Sequence, residues 1–200
     1  PEELGELDKA VDGVTRANLP ALEFTREAFP LPTLGATLEG VLEELENGRG
    51  FALLRGIPVE RYDEQSLYRL YWGIAVHLGD LISQNAKGDL IGRVEDVGVD
   101  INAVNARGYT TNAKLHRHND SSDIVGLLCV RQAKEGGHNM IASALTNYTE
   151  LLASHPAYLA ELYLGFHYAV RGEGVTVQVT QVTRNAATCD RVLSDSMPCR

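Results

Sequence analysis

The stretch that decides how this chain is read is Leu115-His116-Arg117-His118-Asn119-Asp120. Its pattern reads as a β-strand, and residues two apart on a strand share a face. His118 and Asp120 therefore present an imidazole and a carboxylate side by side. With a second histidine from elsewhere, such a pair makes the 2-His-1-carboxylate set that holds non-haem Fe(II) and leaves other coordination positions open. His116 lies on the same face. Each two-residue step, however, advances about 6.6 Å along a strand, so a third donor on one strand is carried away from a common metal. His116 is read as a pocket residue or a partly exposed strand histidine, not as the third ligand.

Working outward, Ile124 to Val130 is an apolar run consistent with a core strand. Gly136-Gly137 marks a turn, and a further strand is expected to run to Ala142. Thr146 is expected to cap a helix over 147–153, and Pro156 to open another that ends near Tyr163, since proline is tolerated in a first helical turn. Val175 to Val182 alternates in the manner of an exposed antiparallel strand.

Upstream, residues 80–112 read as strands and turns broken by glycines. Leu67, Leu70, Tyr71, Ile74 and Leu78 form a helical stripe that starts after Asp63, a good N-cap, and closes at Gly79. Phe51 to Leu54 reads as a buried strand. Leu34, Leu38, Val41, Leu42 and Leu45 recur at helical spacing from Thr33 to Gly48. Residues 1–32, with Pro20, Pro30 and Pro32 in or beside them, read as an irregular N-terminal arm, and 33–200 as the main domain. Helices early and strands in the centre suggest an α+β protein with a mainly β core.

The composition is that of an ordinary globular chain. Of 200 residues, 44% are hydrophobic and 22% charged. No apolar run is long enough to span a membrane. A net charge of −9 argues against nucleic acid as the main partner, because phosphate binding needs clustered Lys and Arg. Three cysteines without a C-x-x-C pair argue against a disulfide framework and for a cytoplasmic setting. Phosphate-loop, dinucleotide, serine-elbow and cysteine–histidine nucleophile patterns are all missing from the sequence.

The order His118-Asn119-Asp120, Leu127-Leu128-Cys129, Gly136-Gly137-His138-Asn139, Ser143, preceded by Gly50 to Gly56, Leu78-Gly79 and Gln84-Asn85, resembles the TauD/TfdA-like family of Fe(II)- and 2-oxoglutarate-dependent dioxygenases. The resemblance covers roughly residues 30–170. It implies a double-stranded β-helix (a jelly roll, clavaminate synthase-like) with flanking helices. His118 and Asp120 would be metal ligands and catalytic residues. Asn139 would stand where relatives place a hydroxyl residue that binds 2-oxoglutarate, and an amide can donate a similar bond.

By the same resemblance, Asn85, Tyr109, Asn112 and His116 would face the substrate, a small molecule oxidised with O2 at an unactivated C–H bond. A homo-oligomer would be in keeping with the family. The family's distal histidine, and the arginine that pairs with 2-oxoglutarate, are not recognisable before Arg200. The barrel is therefore expected to be incomplete at its C-terminal end. The alternative expectation is an inactive or truncated member that binds metal or ligand weakly. His167 is the one remaining histidine worth testing as a substitute ligand.

Overall fold

The computed structural model describes residues 2–85, 87–103, 106–120 and 122–164, together with the backbone of 167–168 and 183–184. Contacts divide the chain into two compact units. The first comprises Pro1–Ser83 and Ile124–Gly137, the second Gln84–Asp123 and His138–Arg200.

The first unit is built on three helices. Helix α1 (Glu2–Arg16) buries Leu7, Ala10, Val11 and Val14, which recur at the spacing of one helix face. Glu2 and Glu3 in its first turn and Arg16 in its last complement the helix dipole. The helix closes on Asn18, whose φ of 52° is the left-handed conformation common just past a helix end. The expectation of an irregular arm over 1–32 is corrected here. Pro20, Pro30 and Pro32 all lie beyond α1, and the segment before them carries a complete amphipathic stripe.

Helix α2 (Leu34–Glu46) falls where the periodicity predicts it. Thr33 precedes it but makes no side-chain cap. The cap comes instead from α1: the Glu6 carboxylate accepts from the backbone N–H of Thr33 at 2.8 Å and of Leu34 at 2.9 Å. These are N–H groups that a helix start leaves without an intrahelical partner. Helix α3 (Glu64–Ala75) starts as expected, with Asp63 accepting from Ser66 N–H at 2.7 Å.

Helix α1 packs on α3, and an aromatic cluster fills the same unit. Phe24 stacks on Phe29 with ring centroids 5.6 Å apart and meets Trp72 edge-on at 6.4 Å. Two side chains also tie the loop that bears these phenylalanines to the α3 region. Trp72 Nε1–H donates to the Phe24 carbonyl at 2.7 Å, and His77 Nε2–H to the Phe29 carbonyl at 2.8 Å. Gly73 permits the close approach, because a Cβ there would stand 2.5 Å from the Phe29 ring. His77 itself is buried.

In the second unit, α4 (Ala144–Ser154) and α5 (Pro156–Tyr163) pack on one another. The expected cap for α4 was Thr146. The observed one is Ser143, whose Oγ accepts from Thr146 N–H at 3.1 Å, so the helix begins earlier. Helix α5 starts at Pro156 as expected. An irregular hairpin is closed by Glu95 N–H on the Tyr109 carbonyl and Val97 N–H on the Thr110 carbonyl, each at 3.1 Å.

The expectation of a mainly β core in a jelly roll is overturned by the described residues. They form helices and irregular chain. Their only sheet is an antiparallel pair of two-residue strands, β1 (His167–Tyr168) with β2 (Thr183–Arg184). Phe51 to Leu54, Leu115 to Asp120 and Ile124 to Val130 are not strands. The physical reason is that a strand exists only by pairing its N–H and C=O groups with a neighbour. An apolar run supplies no such neighbour, and Leu53 and Leu127 remain 69% and 65% exposed. The strand expected at Val175 to Val182 lies outside the described residues.

Candidate metal centre

His118 and Asp120 stand on an irregular segment of the second unit, outside any helix or strand. Their side chains nevertheless approach one another. His118 Nε2 lies 3.6 Å from Asp120 Oδ1, with both side chains about half exposed. The other ring nitrogen, Nδ1, lies 2.7 Å from the main-chain carbonyl oxygen of His116. That carbonyl is the partner sequence reasoning missed. No residue type signals it, because every residue carries one.

The donor set can be tested against a metal. Two ligands at right angles, each about 2.1 Å from one ion, stand about 3.0 Å apart. The observed 3.6 Å needs only a small side-chain shift to reach that separation. An imidazole nitrogen and a carboxylate oxygen are also the donors that Fe(II) takes in such sites. The pair therefore fits two adjacent positions. Among the described residues, no three His, Cys, Asp or Glu side chains cluster closely enough to hold an ion.

The remaining histidines have other settings. His77 is buried in the first unit, and His138 is exposed. His155 stacks on Tyr158 with centroids 5.1 Å apart and lies 2.9 Å from Ser154 Oγ. The His167 side chain lies outside the described residues.

Asn139 is exposed on the irregular segment after Gly137. The next residue, Met140, places its sulfur 4.0 Å from the Arg117 guanidinium, which brings this segment beside the His116–His118 stretch. Tyr109 is half-buried in a single 3-10 turn, Gly108–Thr110. Asn112 and His116 are exposed. Asn85 is engaged in its own turn. Its Oδ1 accepts from Lys87 N–H at 2.9 Å, and its Nδ2 donates to Asp89 at 2.7 Å.

The pair on this segment offers two donors that a metal could take, and sequence comparison supplies the class. The sequence model of the "Taurine catabolism dioxygenase TauD, TfdA family" matches residues 15–194. The chain belongs to that dioxygenase family.

Among curated relatives, it is 36% identical over 169 residues to FR-33289 synthase of Streptomyces rubellomurinus, covering 84% of this chain and 50% of the relative. It is 26% identical over 167 residues to taurine hydroxylase-like protein SAT17 of Stachybotrys chartarum, covering 80% of this chain and 43% of the relative. The chain thus spans about half the length of the curated relatives it matches. No helix among the described residues is long and apolar enough to cross a membrane.

Proposed function

We propose that this chain carries the His-x-Asp part of a non-haem Fe(II)- and 2-oxoglutarate-dependent oxygenase acting on an unactivated C–H bond of a small molecule. The observation that carries the reading is the approach of His118 Nε2 to Asp120 Oδ1, two metal donors on one short exposed segment. Membership of the dioxygenase family supports it, and the relatives' names point to synthase and hydroxylase chemistry. Bound Fe(II) with 2-oxoglutarate would supply the activation of O2. The protein's share is to hold the ion, orient the substrate and exclude water.

In this reading His118 and Asp120 hold the ion through Nε2 and a carboxylate oxygen. The Asn139 amide donates to a 2-oxoglutarate carboxylate. Arg117 reaches Met140, which brings the segment of Asn139 beside that of His118. Tyr109, Asn112, His116 and Asn85 contribute to the substrate side, Asn85 by way of the turn it closes.

One observation favours a second reading, a family member that binds metal only weakly: the described residues hold no third ligand. Anaerobic titration with Fe(II) and 2-oxoglutarate separates the two. The oxygenase reading expects a visible charge-transfer band that needs both additions and disappears in His118→Ala and Asp120→Ala. A folded protein that gives no band overturns it in favour of the second.

A further inference from the structure

A neutral imidazole carries its proton on one ring nitrogen and a lone pair on the other. The hydrogen bond made by one nitrogen decides the role of the other. His118 Nδ1 is 2.7 Å from the His116 carbonyl oxygen. A carbonyl can only accept, so Nδ1 carries the hydrogen. In the neutral ring the lone pair is then on Nε2, the nitrogen that stands 3.6 Å from Asp120 Oδ1.

We infer that the main-chain carbonyl of His116 is a positioning group, which holds the Nδ1–H of His118 before any metal arrives and leaves Nε2 presented on the side of Asp120. The clamp is closed within five residues: the carbonyl of one histidine, the ring of the next, and the carboxylate of the aspartate. The purpose of the clamp rests on the oxygenase reading, but the tautomer is a property of the metal-free chain. Partners that orient a ligating ring typically change metal affinity by about 10- to 100-fold when lost.

The clamp uses the backbone of residue 116 and not its side chain. His116→Ala should therefore keep it, whereas a role carried by the His116 imidazole would be lost in that variant.

The test is heteronuclear NMR of the imidazole nitrogens in the metal-free protein at about pH 8, where an ordinary histidine is neutral. The His118 signals are assigned by their loss in His118→Gln. A proton on Nδ1 and none on Nε2, retained in His116→Ala, is the expected result. An Nε2–H tautomer, or an average of the two, overturns the inference. A second measurement replaces His118 by its Nδ1-methyl analogue, which keeps the Nε2 lone pair and removes the donor. Fe(II) affinity should fall about tenfold, and an unchanged affinity overturns the positioning role. An Nδ1–H tautomer in a protein that takes up no iron upholds the tautomer and counts against the oxygenase reading instead.

Discussion

The helical core around Phe29 and the segment around His118 use opposite means to hold a side chain in place. Phe29 is completely buried, stacked on Phe24 and seated over Gly73, with its carbonyl taken by His77. His118 is half exposed and held by one backbone carbonyl two residues away. In the first region position comes from many packed neighbours, and for the His118 ring it comes from a local hydrogen bond. Stability and candidate chemistry are thus carried by different residues, and each can be disturbed without the other.

The largest expected effect breaks the first region. Phe29→Ala removes a buried ring and should cost about 3–5 kcal/mol, read as a lower denaturant midpoint. Trp72→Phe keeps an aromatic ring in the cluster but leaves the buried Phe24 carbonyl without its donor. It should cost about 1–3 kcal/mol, and a thermal melt that matches the parent would show that the bond contributes nothing net.

A pH effect comes next. Hydrogen bonds from Leu34 N–H and from Thr33 hold the Glu6 carboxyl below its ordinary value of 4.5. A depressed folded pKa stabilises the fold above the unfolded value and loses that contribution as pH falls through the folded one. Helical circular dichroism should therefore decline in acid below about pH 4.5, and Glu6→Gln should flatten that decline. The smallest effect sharpens the contrast. His118→Ala and Asp120→Ala should shift stability by no more than about 0.5 kcal/mol while abolishing metal uptake. A large loss of stability in either would place the pair in the core's service.

What could be read from the sequence follows the same division. Helices α2, α3 and α5 were legible because period, cap and proline signals agree. In α1 the stripe Leu7, Ala10, Val11, Val14 was present but was masked by treating it together with the prolines that follow. The expected strands failed for a different reason. Phe51 to Leu54 and Ile124 to Val130 have the right composition, but pairing is a property of two segments, and composition describes one. At the site, His118 and Asp120 do approach to 3.6 Å, but on irregular chain and not on the strand that their spacing presumes. The spacing could not place Asn139 or a third ligand, because those depend on where distant parts of the chain arrive.

The cap that α1 lends to α2 bears on where this protein can be trimmed. The family match begins at residue 15, and a shortened recombinant version starting there would look well chosen. It would discard Glu6, on which Thr33 and Leu34 depend, and Asp8, which takes hydrogen bonds from Arg61 and Tyr62. The first turn of α2 and the bend before α3 would both lose their anchors to a deletion nearly twenty residues or more upstream of either. A boundary drawn from family likeness would cut through the frame that shapes this unit.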